Sequence, residues 1–136
     1  MTTQDDNKNI VLEYFRNQDA GELDAMFSVV ANDVKIWHPI EGDIGKEAFR
    51  RIFEALQPNL NGNTHNEIIS LTAEADRVAA QVVGRVTLKD DRHYVNRYCW
   101  LFVIRNGLIV EMFDYADTWP WRKLDGPELL GAASKD

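Results

Sequence analysis

The chain has 136 residues, of which 45% are apolar and 27% are charged, a composition typical of one globular domain and not of a disordered segment. Its 15 Lys and Arg residues against 22 Asp and Glu residues give a net charge of −7, which argues against nucleic acid and against an anionic membrane surface as partners. The single cysteine, Cys99, excludes a disulfide within the chain and a cysteine-based metal cluster.

The N-terminal nine residues are polar and acidic, whereas a secretory signal needs a basic start and an apolar core. The apolar stretches elsewhere fall far below the roughly 20 residues that cross a bilayer. Together with the lone cysteine, these features predict a protein of the reducing cytoplasm.

The first half of the chain predicts three helices and one strand. In residues 5–19, apolar side chains at Ile10, Val11, Tyr14 and Phe15 form one helical stripe. The other predicted elements are a short helix over residues 22–27, a strand over residues 34–38 that stops at Pro39, a turn over residues 41–45 and a helix over residues 46–56.

The second half predicts an antiparallel meander. Four extended segments cover residues 65–73, 77–88, 93–104 and 108–117, and Asn106-Gly107 between the last two is a strong hairpin signal. Helices followed by strands predict an α+β domain in which a curved sheet of about five strands is covered on one face by the early helices.

Three stretches of this sequence resemble the nuclear transport factor 2-like superfamily, and within it the SnoaL-like branch related to ketosteroid isomerase. They are VLEYF with DAGELD (residues 11–24), NDV with WHP and GKEAF (residues 32–49), and NGLIV with DYADT (residues 106–118). The resemblance spans about residues 8–120, leaving residues 121–136 as a tail or short helix of a single domain.

The resemblance implies a cone-shaped, cystatin-like fold with a mostly antiparallel sheet wrapped around about three helices. It further implies a homodimer formed through the sheet and an aromatic pocket for a small apolar molecule of steroid, terpenoid or polyketide type. No cofactor and no metal are expected, since the relatives suggest neither and the sequence offers no compelling ligand spacing.

The resemblance also assigns catalytic roles. His38 occupies the place of the isomerases' base, before the proline that ends the first strand, and Tyr14 matches their oxyanion-hole tyrosine. Asp114 matches the catalytic acid of limonene epoxide hydrolase and of the polyketide cyclases. Two departures from these relatives argue against two of their reactions. Trp100 stands where the isomerases carry a second oxyanion donor, which argues against steroid isomerisation. Gln81 and Val83 stand where the hydrolase carries Arg and Asp, which argues against epoxide hydrolysis.

The orientation of Asp114 depends on the hairpin register. A plain two-residue turn pairs Asp114 with Cys99 and points it to the side of Arg97, where it forms a salt bridge. One β-bulge instead places Asp114 beside Tyr98 and Trp100, inside the cone.

Several further residues are candidates for contacting the ligand, although packing is the simpler interpretation of an aromatic side chain in a strand. Tyr14 fits a core position as well as a donor position, and the Trp119-Pro120-Trp121 segment fits a cap on the cavity or a dimer contact. The predicted substrate-binding residues are Trp37, Phe53, Asn96, Tyr98, Trp100 and Trp119.

The resulting functional prediction is a cofactor-independent enzyme that moves protons, as an isomerase, dehydratase or cyclase. His38 is the predicted base, Asp114 the acid or orienting partner, and Tyr14 the group that polarises a carbonyl. The alternatives are a non-catalytic binding or scaffold module of the same fold and a subunit of a larger oxygenase.

Overall fold

A computed structural model describes residues 3–126 of the chain. This part of the chain contains four α-helices, one 3₁₀ turn and six strands, and the predicted elements occur among them in the predicted order. They are α1 (Thr3–Asp19), α2 (Leu23–Ser28), β1 (Val30–His38), β2 (Gly42–Ile44), α3 (Lys46–Leu56) with the 3₁₀ turn (Gln57–Asn59), β3 (His65–Glu74), β4 (Arg77–Thr87), β5 (His93–Arg105), β6 (Leu108–Ala116) and α4 (Trp119–Lys123).

The helices form because their apolar residues recur at helical spacing and can be buried on one side. In α1 that stripe is Val11, Tyr14 and Phe15, each at most 3% exposed. The helix α3 places Phe49 in the core, where its ring makes an edge contact with Phe27 of α2 at 6.0 Å between centroids. The three helices therefore share one apolar layer against the sheet.

The six strands form one open sheet in the order β2-β1-β6-β5-β4-β3. Only β1 and β6 pair in parallel, and the remaining neighbours are antiparallel. Burial alternates along β4, so that Val78, Ala80 and Val82 face the helices. The predicted α+β class and the mostly antiparallel sheet are confirmed.

Two boundaries differ from the predictions for the first strands. The first strand begins at Val30 instead of residue 34, and the predicted turn at residues 41–45 contains the short strand β2. A segment of three residues, two half-buried and one exposed, is too short to show the alternation by which a strand is recognised.

The β5–β6 hairpin contains the β-bulge that decides where Asp114 points. Asn106 and Gly107 adopt φ of 53° and 78°, the left-handed values of a tight hairpin turn. The register then shifts between Val103 and Ile104, so that Trp100 pairs with Asp114. The expectation from a plain turn, a pair with Cys99 and a salt bridge to Arg97, is wrong.

The described chain ends shortly after α4. Leu124 docks against the body of the protein and is 8% exposed, as expected for an apolar residue of the tail. Two other tail leucines predicted to dock, Leu129 and Leu130, lie outside the described residues. No helix in residues 3–126 combines the length and apolarity that crossing a bilayer requires.

Candidate functional site

A cavity of about 340 Å³ opens between the inner face of the sheet and the helices. This volume lies at the lower end of the ~300–1,000 Å³ of small-molecule sites. Its floor and walls include Phe49 and Phe53 of α3 and the β5 residues Tyr94, Asn96, Tyr98 and Trp100. The alternation of β5 sends these last four side chains to the same face.

His38 and Asp114 lie on neighbouring strands and both line this cavity. In the parallel β1–β6 pair, Ile36 is opposite Met112 and Trp37 is opposite Phe113. Continued by one residue along both strands, at a strand spacing of ~4.8 Å, this register would place His38 next to Asp114. The structure therefore brings two of the three predicted catalytic residues together.

The carboxyl group of Asp114 is buried, and one of its two oxygens lacks a hydrogen-bond partner within the described chain. The residue is 5% exposed, and the unpartnered oxygen is Oδ1. Burial raises the pKa of Asp114 to about 7. A carboxyl group in this state exchanges a proton readily at neutral pH.

The turn that follows β1 fixes which ring nitrogen of the neutral His38 carries the proton. Its Nδ1 accepts hydrogen bonds from the backbone N–H groups of Ile40 at 3.2 Å and Glu41 at 3.1 Å. Burial lowers the pKa of His38 to about 4. Because Nδ1 is occupied as an acceptor, the proton of the neutral ring sits on Nε2, and that nitrogen can donate but not accept. This geometry does not favour the predicted role of His38 as a base.

Three polar side chains of β5 form a connected group. Asn96 donates from Nδ2 to the hydroxyl of Tyr94 at 2.7 Å and to the backbone carbonyl of Asp117 at 2.7 Å. The hydroxyls of Tyr94 and Tyr98 are 2.9 Å apart. Burial, followed by the neighbouring Tyr94, raises the pKa of Tyr98 well above its usual value, so this hydroxyl keeps its proton.

Gly84 of β4 makes room for this group. A Cβ atom at Gly84 would lie 3.1 Å from the ring of Tyr98 and 3.3 Å from Oδ1 of Asn66. Sequence reasoning selected neither Gly84 nor Tyr94. An isolated glycine inside a strand is a signal of close approach, and the alternation that selected Asn96 and Tyr98 also includes Tyr94.

Four of the six predicted substrate-binding residues line the cavity and two do not. Phe53, Asn96, Tyr98 and Trp100 line it. Trp37 points to the opposite face of the sheet, where its ring lies 5.5 Å from that of Tyr115. Trp119 is 61% exposed on α4. The structure therefore corrects the assignments of Trp37 and Trp119.

Tyr14 lies in the core and is absent from the cavity wall. It is fully buried, with edge contacts to Phe15 at 5.2 Å and Phe102 at 5.7 Å between centroids. Its hydroxyl has no hydrogen-bond partner among residues 3–126. Burial, and secondarily the charge of Asp114, raises the pKa of Tyr14 well above its usual value. Tyr14 is therefore near Asp114 but not placed to touch a ligand.

The segment after β6 covers part of the cavity through Trp121, which is one of the two roles expected for the Trp119-Pro120-Trp121 segment. Trp121 lines the cavity and makes an edge contact with Tyr94 at 5.6 Å. Leu124 also lines it, and its carbonyl accepts a hydrogen bond from Arg92 at 3.0 Å. A Cβ atom at Gly126 would overlap the Trp121 ring, so glycine is required there.

The two residues equated with the epoxide hydrolase's Arg and Asp point away from the cavity. Gln81 pairs with Cys99 and Val83 pairs with Arg97, whereas the buried residues of β4 alternate with them. The buried positions of β4 carry no ionisable group, whereas Arg85 lines the cavity from an exposed position. Within the described residues, no cluster of three or more His, Cys, Asp or Glu side chains is arranged to hold a metal.

The comparisons with known proteins identify a family. Residues 11–112 match the model of the SnoaL-like domain, while no curated protein sequence matches the chain. Among solved structures, PrhC from Penicillium brasilianum superimposes with a TM-score of 0.83 at 12% identity, covering 98% of this chain and 95% of PrhC.

Two further solved structures share the fold. A proposed polyketide cyclase from Xanthomonas campestris has a TM-score of 0.75 at 19% identity, covering 88% of this chain and 96% of its own. An LEH-like epoxide hydrolase from M. tuberculosis has a TM-score of 0.76 at 15% identity, covering 95% and 97%. The shared architecture shows the fold, and the match over residues 11–112 shows that the chain belongs to the SnoaL-like family.

Proposed function

We propose that this protein is a cofactor-independent enzyme that moves protons on a small apolar molecule of steroid, terpenoid or polyketide type, as an isomerase, dehydratase or cyclase. The observation that carries the proposal is the Asp114 carboxyl group, which is buried at the cavity wall with Oδ1 unpartnered and a pKa of about 7. The family match supports it, because one of the similar structures is a proposed polyketide cyclase.

Asp114 is the proton-transfer group in this proposal. With a pKa of about 7, both of its protonation states are populated at neutral pH. The carboxylate removes a proton from a carbon next to a carbonyl, and the resulting acid returns the proton at another position of the same molecule. The aromatic surroundings, with Trp100 paired opposite Asp114, keep bulk water from competing for this proton.

His38 acts as a hydrogen-bond donor rather than as the base. Its neutral ring presents Nε2–H, since Nδ1 accepts from the backbone of Ile40 and Glu41. A neutral donor stabilises the negative charge that develops on a carbonyl oxygen when Asp114 takes the proton. The base role passes from His38 to Asp114, which reverses the roles implied by the resemblance.

Epoxide hydrolysis is the less favoured chemistry even though one similar structure belongs to an LEH-like epoxide hydrolase. The buried positions of β4 carry no ionisable side chain that could act with Asp114, and Arg85, which lines the cavity from an exposed position, is paired with Glu67. The Arg and second Asp that the hydrolase uses with its acid are therefore missing from the corresponding positions, Gln81 and Val83.

Hydrogen–deuterium exchange tests the proton-transfer step before the natural substrate is known. Tetralone, a bicyclic ketone, is incubated with the protein in deuterated buffer, and loss of the protons next to its carbonyl is followed by NMR. We expect the wild-type protein to accelerate exchange, and Asp114→Asn to lower the rate by about 10²-fold or more. His38→Ala should lower it as well, through loss of the donor.

Asp43→Asn is the matched control, because Asp43 is an exposed carboxylate on β2 that does not line the cavity. It should leave exchange unchanged. Tight binding of tetralone without any exchange would contradict the proposed enzymatic activity and favour a non-catalytic binding module. Equal rates for the wild type and Asp114→Asn would exclude Asp114 as the proton-transfer group.

We also propose that two copies of the chain pair through the outer face of the sheet. That face carries Trp37, Phe113 and Tyr115, with Phe113 and Tyr115 stacked at 6.1 Å between centroids and Tyr115 51% exposed. Exposed rings in a contiguous group lower the free energy of association when a partner covers them.

A further inference from the structure

The hydrogen bonds around Asn96 leave one phenolic proton without an acceptor. Both hydrogens of its Nδ2 are used, one on the Tyr94 hydroxyl and one on the Asp117 carbonyl. Its Oδ1 accepts from the backbone N–H of Arg97 at 2.8 Å. Asn96 therefore has no donor left for a ligand, and its effect is to fix the orientation of Tyr94.

The Tyr94–Tyr98 pair carries two hydroxyl protons, and the bond between the two oxygens consumes one of them. Whichever hydroxyl donates in that bond, the proton of the other has no acceptor in the described part of the chain. Both tyrosines line the cavity. The pair therefore offers one hydrogen-bond donor to the cavity in either arrangement.

The charges of the cavity wall restrict which acceptor can use that donor. Its acidic residues are Asp19, Asp114 and Asp117, and among the described lining residues Arg85 alone is cationic. The Arg85 guanidinium is already 3.0 Å from the carboxylate of Glu67. An anionic ligand would enter this wall without a free cation to balance it, whereas an uncharged oxygen would not.

We propose that the hydroxyl pair of Tyr94 and Tyr98, oriented by Asn96, binds a carbonyl or hydroxyl oxygen of an uncharged ligand, and that the cavity rejects the corresponding carboxylates. This inference rests on the proposed function only in that the ligand occupies the same cavity. Tyr94 and Tyr98 are specificity residues, and Asn96 is a positioning residue.

Three naphthalene probes of nearly equal size test the binding of a neutral oxygen and the rejection of carboxylates separately. Naphthyl methyl ketone offers a neutral acceptor, ethylnaphthalene offers none, and naphthoate offers an anionic one. Their dissociation constants are measured by equilibrium dialysis at about pH 8, where naphthoate is fully ionised. We expect the ketone to bind about 2–10-fold more tightly than ethylnaphthalene, the gain of one neutral hydrogen bond, and naphthoate to bind at least about tenfold more weakly than the ketone.

The double variant Tyr94→Phe/Tyr98→Phe removes both hydroxyls and keeps both rings. It should lower the ratio of the ethylnaphthalene and ketone dissociation constants at least about twofold, leaving the Nε2–H of His38 as the remaining donor proposed for the cavity. Either single variant keeps one hydroxyl and should retain part of the preference. Asn96→Asp should also lower the ratio, because a carboxylate draws the Tyr94 proton toward itself, whereas a merely structural role of Asn96 would weaken both neutral probes equally.

Three results would overturn the proposal. One is a ketone that binds no better than ethylnaphthalene in the wild type, including failure of both to bind. The second is a preference that is undiminished in the double variant, and the third is naphthoate binding as tightly as the ketone. Because the readout is equilibrium binding and involves no proton transfer, failure here leaves the deuterium-exchange test intact, and failure of exchange leaves this proposal intact.

Discussion

Two carboxylates of the same cavity show how hydrogen bonds decide what a side chain can do. Asp19 accepts bonds from the backbone N–H of Asn66 at 3.0 Å and from its Nδ2 at 2.6 Å. The Oδ1 of Asp114 accepts none within the described residues. Asp19 therefore ties α1 to β3, whereas Asp114 keeps an unpartnered oxygen that only a proton or a ligand can satisfy.

The raised pKa of Asp114 predicts a stability that falls as the pH rises. Between the ordinary pKa of 3.8 and about 7, the unfolded chain has lost the Asp114 proton while the folded protein retains it. The free energy of unfolding therefore decreases through this range, by up to about 4 kcal/mol. His38 acts in the opposite direction, since its pKa falls from 6.5 to about 4 and folding is favoured as the pH rises between those values.

Comparing the wild type with Asp114→Asn isolates the Asp114 contribution, because His38 is common to both. Urea denaturation at about pH 4 should give similar free energies of unfolding for the two proteins, and at about pH 8 the variant should be the more stable one. A difference between the two proteins that stays constant over this range would show that Asp114 titrates like an exposed carboxylate.

The unpartnered hydroxyl of Tyr14 predicts that its removal stabilises the protein. Tyr14→Phe keeps the ring contacts with Phe15 and Phe102 and deletes a buried oxygen that has no partner in the described structure. We expect the free energy of unfolding to rise by about 1 kcal/mol and the exchange rate of tetralone to stay within about threefold of the wild type.

Tyr94→Phe is the matched comparison, because its hydroxyl is bonded to Asn96 and Tyr98. That variant should lose about 1 kcal/mol. If Tyr14→Phe instead destabilised the protein and slowed exchange by about 10²-fold, the polarising role implied by the family resemblance would be right.

At the scale of elements, one inserted residue in a hairpin determines which side of the sheet carries the candidate acid. The register of β5 and β6 shifts between Val103 and Ile104, and every β6 residue beyond the shift changes face. Without the bulge, Phe113 would point inward in place of Asp114. The Asn106-Gly107 signal predicts the turn but not the bulge, because a bulge depends on packing across the sheet and not on local residue preferences.

Helices and hairpins were predictable because their signals are local. The spacing of Val11, Tyr14 and Phe15 defines the buried stripe of α1, and the bounds of α3 agree with its apolar periodicity. The parallel pairing of β1 with β6 joins segments about half the chain apart, so no local pattern reveals it. That pairing is nevertheless what brings His38 beside Asp114.

The protonation state of His38 could not be predicted from the sequence for a related reason. It depends on two backbone N–H groups, those of Ile40 and Glu41, which turn toward Nδ1 only in the folded chain. Position before a proline identified His38 as a candidate, since the family resemblance places a functional residue there. Whether such a histidine accepts or donates a proton is decided by backbone geometry.

At the scale of the whole molecule, the aromatic outer face and the net charge have opposite effects on the association of two copies. The outer sheet face carries the exposed ring of Tyr115 beside the half-buried rings of Trp37 and Phe113, and covering them favours association. Each copy also carries a net charge of −7, so two copies repel each other at low ionic strength. Because salt screens the repulsion while leaving the apolar contact in place, the balance should depend on ionic strength.

The proposed homodimer should therefore tighten as salt is added. Sedimentation equilibrium in ~0.02 M and ~0.5 M sodium chloride should show a dissociation constant at least about threefold lower at the higher concentration, where the Debye length is only a few ångströms.

Tyr115→Lys places a charge among the rings of the outer face and should give a monomer at both concentrations. Ala25→Lys, on the exposed side of α2, makes the same change of charge far from that face and should leave the dimer intact. A monomer in the wild type at both salt concentrations, or equal dissociation of the two lysine variants, would show that the outer face is not the contact between copies.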